Sequence, residues 1–343
     1  MTTKSPHDAL FKAAFGRSDI ARSELETVLP PALRERLDLR SLELQPGSFV
    51  DEELESTHSD LLYETRTVCD VPALVYVLFE HQSSFDAQIP FRLLRYAVRV
   101  WNRWLVKHPG NGTKLPILVS VVLHHGAKGW RGRPDFASVL DANPDTIEAT
   151  RPYVPHFDFV LDDLASLPLE TLATRTLHVL GRLVQIAFWT SRSTERFEQA
   201  IPLMRDLAAS TKRDASTRAL LVQLYVYLNS VLRDVDASVV STKLIEISGP
   251  EGKEDVMTAA EQLMNIGFAK GEEKGFAKGE EKGFAKGEAD AWRRAIEKAL
   301  AARNVPLGTA SRARLLACTD VHVLEQWHER ALTVATENDL FNI

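Results

Sequence analysis

At 343 residues, 45% hydrophobic and 26% charged, the chain has ordinary soluble-globular usage and room for one large or two ordinary domains. Its net charge of −6 excludes a global pull toward nucleic acid, so any such contact has to come from a local basic patch. Cys69 and Cys318 form no metal-ligand spacing, Met1 to Asp8 lack an apolar signal stretch, and no apolar run approaches the ~20 residues that cross a bilayer, so a cytoplasmic protein with no membrane partner is expected.

Ser5-Pro6-His7-Asp8 leads into a helix predicted at about 7–15, with Leu10, Phe11, Ala14 and Phe15 on one face, and a second helix follows at about 18–28. His7 and Asp8 fit a helix cap, and they could instead reach a site on the sheet. Pro30-Pro31 breaks the chain, Leu33 to Leu37 reads as a short helix, and Leu42-Glu43-Leu44 starts the first strand. The acids Asp51, Glu52, Glu53 and Glu55 then read as a solvated loop.

Two further strands follow. Ser59 to Thr67 is the first, and the second is 73–82, Ala-Leu-Val-Tyr-Val-Leu-Phe-Glu-His-Gln, after the turn signal Cys69-Asp70-Val71-Pro72. Alternation sends Glu80 and Gln82 to one face and His81 to the other. A hairpin about Asp70 brings Asp60 opposite Glu80, and two bare carboxylates roughly 4.5–5.5 Å apart at Cβ repel each other unless a positive charge lies between them. A divalent cation answers that need, and Mg²⁺ suits it, since it takes one or two carboxylates and keeps its other positions for water and phosphate. The alternative is two solvated acids at a sheet edge, or another register.

A helix is predicted over about 86–107, with Asp86 near its cap and Pro90 in its first turn. Phe91, Leu94, Val98, Trp101 and Leu105 recur at helical spacing as its apolar face. Arg92, Arg95, Arg99 and Arg103 line another side, and because the helix starts close to Glu80, Arg92, Arg95 and Arg99 are candidate contacts to DNA phosphates. The alternative is a solvated basic face. Leu115 to Leu123 is a buried strand, and a strand–helix–strand crossover of this length makes it a parallel neighbour of 73–82. His124-His125 reads as structural or solvent-facing, with metal ligation as the alternative, and Lys128 to Pro134 as a basic loop. Asp158 is a further candidate acid beside a short apolar strand.

From about 168 to 235 the patterns are helical. Residues 267–290 then repeat Gly-Phe-Ala-Lys-Gly-Glu-Glu-Lys, and six glycines at four-residue spacing, each costing a helix about 1 kcal/mol, favour a tether over a rod. Trp292 to Arg303 and Ser311 to Thr336 are helical again and suit a small bundle that docks or dimerises.

Several of these stretches carry a resemblance. Asp60 followed by Glu80-His81-Gln82 resembles the signature of the PD-(D/E)XK nuclease superfamily, with Gln82 in the place usually held by Lys. His7 to Lys12, Leu44 to Val50, Ser59 to Tyr63, Glu80 to Ser84, Phe91 to Tyr96 and His125-Gly126 resemble, in order, the Rpn family of recombination-promoting nucleases, also called YhgA-like transposases, over roughly residues 5–235. The resemblance implies an α/β fold, a restriction-endonuclease-like core with a mixed central sheet flanked by helices, followed by an α-helical region. The expected divisions are a core at 5–165, a helical cap at 166–250, a repeat linker at 251–290 and a C-terminal helical region at 291–343.

It also implies a function: a metal-dependent DNA endonuclease that hydrolyses phosphodiester bonds and promotes recombination or accompanies mobile elements. Asp60, Glu80 and Gln82 would be catalytic, and Asp60, Glu80 and the backbone carbonyl of His81 would hold Mg²⁺ or another divalent cation. Gln82 can orient a water but brings no charge, so Arg92 or Arg95 would supply it. Asp8 and Asp158 are carried as additional acids, DNA is the expected partner, and the C-terminal helices are the expected route to a homo-oligomer. The competing reading is a non-hydrolytic DNA-binding or assembly protein with a vestigial site.

Overall fold

The computed structural model describes residues 5–46, 59–80, 86–110, 114–126, 129–191, 193–232 and 235–341; for Ser59, Phe79, Glu80, Ala237, 269–283 and Ala285 only the backbone is described. Ser5 caps α1 (Pro6–Phe15), its hydroxyl accepting from His7 N, so the capping role falls one turn before Asp8. Leu10, Phe11, Ala14 and Phe15 are buried as the spacing requires, and α2 (Ser18–Val28) follows. The short helix α3 (Pro31–Arg34) starts on Pro31, earlier than expected, and β1 (Leu37–Leu44) begins at Leu37, the last residue read as helical and five before the expected Leu42.

One five-stranded sheet holds this part of the molecule together, in the order β1-β2-β3-β4-β5. β2 (Ser59–Thr67) and β3 (Pro72–Glu80) form a hairpin, with β1 antiparallel to β2. β4 (Ile117–His124) runs parallel to β3, and β5 (Val160–Asp163) runs parallel to β4. The crossover between β3 and β4 is α4 (Ile89–Lys107), long enough to return the chain for parallel pairing. A short helix, α5 (Pro144–Thr150), lies between β4 and β5. The result is the mixed, helix-flanked α/β core followed by helices that the sequence implied.

Strand alternation separates two cores. Leu61, Tyr63, Val75, Val77 and Val121 face α1, α2 and the helical region, while Leu62, Tyr76, Leu78 and Val122 face α4. On α4 the buried residues are Leu93, Tyr96, Ala97, Val100 and Trp104. Phe91, Val98 and Leu105, read from sequence as core, are exposed, at 45%, 46% and 37%.

The helical region comprises α6 (Leu169–Thr174), α7 (Val179–Thr190), α8 (Thr194–Ala209), α9 (Ala215–Val231) and α10 (Ala237–Ser248). It shares the core of the first sheet face, through Phe188, Phe197, Leu221 and Tyr227 among others. Two compact units divide the chain at Gln262 and Leu263. α11 (Lys253–Ala302) begins in the first, where its Asp255 accepts from Arg213 at 2.7 Å and Arg218 at 2.9 Å. Its backbone is helical through the whole repeat, against the tether expected there: Ala, Lys and Glu fill most of each octapeptide, and no proline interrupts it. In the second unit α12 (Thr309–Ala317), α13 (Val321–Ala331) and α14 (Glu337–Leu340) pack with the end of α11 around Ile296, Leu300, Leu324 and Trp327. Cys69 is exposed at the β2–β3 turn and Cys318 is half-buried after α12; both are free thiols.

Candidate active site

The hairpin closes from Thr67 N to Val71 O at 2.8 Å, with Asp70 in the left-handed region at φ 61°. Its centre falls one residue earlier than Asp70, so the register differs by two from the expected one: Asp60 lies opposite Leu78 rather than Glu80. A slip of two keeps every side chain on its face, where a slip of one would have reversed them all. Asp60 and Glu80 therefore occupy diagonal positions on the α4 side, for which roughly 7–8 Å is the usual separation. His81 and Gln82 lie outside the described residues.

Asp60 Oδ1 is buried, with no hydrogen-bond partner among the described residues. Burial is the main cause that lifts the Asp60 pKa to about 6, from an ordinary 3.8; a hydrogen bond with Tyr76 and the charges of Arg92 and Lys12 oppose the shift, and the charge of Asp8 adds to it. Asp8 and Lys12, from the first and last turns of α1, thus share the electrostatic neighbourhood of Asp60. The Tyr76 and Tyr96 rings stack at 3.6 Å between centroids, and burial first, then the Asp60 charge, pushes both hydroxyls well above the ordinary tyrosine range. The Tyr96 hydroxyl is buried with no hydrogen-bond partner among the described residues. The sequence reading gave these tyrosines no role: Tyr76 lay within the strand 73–82, and Tyr96 stood off the apolar face expected for the helix.

Of the arginines on α4, Arg92 is fixed by an ion pair with Asp86 at 2.8 Å and is the one whose charge acts on Asp60. Arg95 is exposed. Arg99 and Arg103 are half-buried and engaged in interactions of their own.

The two histidines that end β4 part company. His124 is the register partner of Glu80 on β3 and of Asp163 on β5, and alternation puts it on the α4 face with Asp60. Its Nδ1 lies 2.6 Å from Asp163 Oδ1, and Asp163 Oδ2 accepts from Trp130 N at 2.9 Å and from the Ser166 hydroxyl. Burial alone would raise the Asp163 pKa, but these hydrogen bonds outweigh it and hold the carboxyl below its ordinary range. His125 turns to the other face, its Nε2 2.9 Å from Ser191 Oγ, and its ring lies 5.5 Å from that of His7, whose Nδ1 is 3.0 Å from Tyr227 OH. Ser191 and Tyr227 belong to the helical region, which therefore completes this end of the sheet.

Asp158 lies elsewhere. It precedes β5 instead of following it, bridges Asp135 through the backbone, and lines an apolar cleft of about 830 Å³ with Leu94, Trp101 and Pro134, at the end of the sheet away from Glu80 and Asp163. The acid that ends the strand is Asp163, which the sequence reading passed over; it follows the apolar run Phe159 to Leu161 after Asp162.

A family profile described as "Putative transposase, YhgA-like" matches residues 5–215, a span that contains every candidate residue from Asp8 to Asp163. The chain belongs to this family. Recombination-promoting nuclease RpnD of Escherichia coli O157:H7 is 32% identical over 266 residues, 77% of this chain and 96% of its own length. Inactive recombination-promoting nuclease-like protein RpnE of Escherichia coli strain K12 is 30% identical over 273 residues, 79% of this chain and 85% of its own. Recombination-promoting nuclease RpnA of the same strain is 28% identical over 268 residues, 77% of this chain and 85% of its own. No solved structure matches the chain. Relatives named as nucleases and one named as inactive cover nearly the same length, so membership of the family does not by itself assign activity.

Proposed function

We propose that this chain is a nuclease that hydrolyses DNA phosphodiester bonds with the help of a divalent cation, Mg²⁺ or another, and promotes recombination or accompanies a mobile element. The observation that supports this most is Asp60, with one buried carboxylate oxygen that no described residue hydrogen-bonds, on the sheet face and at the strand end where the register also sets Glu80. Among the described residues no three His, Cys, Asp or Glu side chains form a ready cage. Mg²⁺ binds through one or two carboxylates and retains water.

Asp60, Glu80 and the backbone carbonyl of His81 would hold the ion. Bound there, it would supply positive charge to the scissile phosphate and acidify a water. Gln82 would orient that water by hydrogen bonding, Arg92 would balance charge beside Asp60, and Arg95, exposed on α4, would meet a backbone phosphate, as would Arg99 further along.

Plasmid nicking tests the proposal. With Mg²⁺ or Mn²⁺ the wild type is expected to nick supercoiled DNA, and Asp60→Ala and Glu80→Ala to lose about 100-fold or more of that rate while still binding, since several kcal/mol of charge stabilisation are at stake. A wild type that binds plasmid but cuts with no divalent ion would favour the non-hydrolytic DNA-binding reading instead.

A further inference from the structure

In the site as proposed Asp60 and Glu80 are engaged with the ion, so neither is left to take a proton from the attacking water. The motif residue that is usually Lys is Gln82, and an amide hydrogen-bonds water without accepting its proton. Resting on the nuclease reading, we infer that His124, held by Asp163, is the base of this reaction. Nε2 would take a proton from the attacking water as the water oxygen bonds to phosphorus and the bond from phosphorus to the departing oxygen breaks; solvent would protonate that oxygen, and the imidazolium would return its proton to solvent.

Three features of the structure carry this. The first is position. β3 and β4 are parallel, so His124 stands beside Glu80 at the strand ends, on the face that bears Asp60. Among the described residues it is the imidazole that ends a strand on this face, since its neighbour His125 turns to the other.

The second is the hydrogen bond that fixes the ring. Asp163 accepts from the Trp130 backbone and the Ser166 hydroxyl as well as from His124, which leaves its carboxylate as an acceptor and requires the hydrogen on Nδ1. In the neutral ring Nε2 is then the atom with the lone pair, and no other described residue hydrogen-bonds the ring. A carboxylate that sets the tautomer in this way is what a base of this kind needs.

The third is that the pair is built and not incidental. His124 is 3% exposed, and the Trp130 ring meets it edge-on at 5.5 Å. The loop from β4 closes over Asp163 so tightly at Gly129 that a Cβ there would collide with Ser166 Oγ and lie 3.2 Å from Asp163 Oδ2. A bulkier residue at 129 would displace the Ser166 hydroxyl, one of the donors to Asp163.

His124→Asn is the informative variant, because the Asn amide nitrogen replaces Nδ1, keeps the hydrogen bond to Asp163 and removes Nε2. The melting temperature is expected to stay within a few degrees of wild type and kcat to fall about 100-fold or more, the usual contribution of a base, with KM changed less than about threefold. Two-bond ¹H–¹⁵N correlations in the full chain are expected to show His124 carrying its hydrogen on Nδ1, and Asp163→Asn to move it to Nε2 with a comparable loss of kcat. A His124→Asn variant that cleaves within threefold of wild type overturns the inference and leaves the nuclease standing, as does a wild-type hydrogen found on Nε2. A wild type that cleaves nothing with any divalent ion overturns both.

Discussion

Asp60 carries its charge in surroundings that do not favour it. Its folded pKa of about 6 lies above the ordinary 3.8, so between these values the unfolded chain has released the proton and the folded chain still holds it. Stability contributed by this group is therefore lost as pH rises from about 4 to about 6, by up to about 3 kcal/mol for two pKa units. Asp60→Asn removes that cost. The variant is expected to melt a few degrees above wild type at pH 7.5 and level with it near pH 3.5, by scanning fluorimetry. Mg²⁺ or Mn²⁺ should raise the wild-type melting temperature and leave the variant unmoved, since a ligand stabilises only the fold that binds it. Sequence could show that Asp60 and Glu80 share a face, because period-two alternation survives an even shift of register. It could not show the Tyr76–Tyr96 stack over the acid, which depends on how α4 is rotated against the sheet.

That rotation was misjudged from sequence because α4 has apolar residues on more than one side. The stripe at Phe91, Leu94, Val98, Trp101 and Leu105 and the stripe at Leu93, Tyr96, Val100 and Trp104 both keep helical spacing, and the sheet buries the second. The helical region is tied in by a polar cluster equally invisible to periodicity. Arg175 binds Asp162 on β5 through both nitrogens, at 2.7 and 2.9 Å, and donates to Gln185 on α7, whose amide in turn donates to Glu24 on α2 at 2.7 Å. Burial above all, with the Asp162 charge behind it, drives the Glu24 pKa far up and favours the neutral acid. Glu24→Gln is accordingly expected to change stability by less than about 1 kcal/mol in urea unfolding. Arg175→Ala, which strands a buried Asp162 charge, is expected to cost about 3–5 kcal/mol in the same measurement.

At the scale of the whole chain, the division between units follows the hydrophobic cores. The sheet cores involve residues up to Ala259, and a separate core starts at Ala289. Hydrogen exchange is expected to be slow on β3 and β4 and fast over 263–288, where α11 runs between cores with a glycine at every fourth position. Protection over that stretch as strong as in the sheet would contradict this. Sequence marked the repeat as a boundary from composition alone. It missed the helix because six glycine penalties were counted without the helix formers that surround them.

The two thiols also fall on opposite sides of this boundary, Cys69 at an exposed turn of the first unit and Cys318 in the second. A donor and an acceptor dye attached to the native cysteines would form a built-in ruler. Single-molecule energy transfer could then follow the spacing of the units, with and without DNA, in a chain carrying no engineered residue.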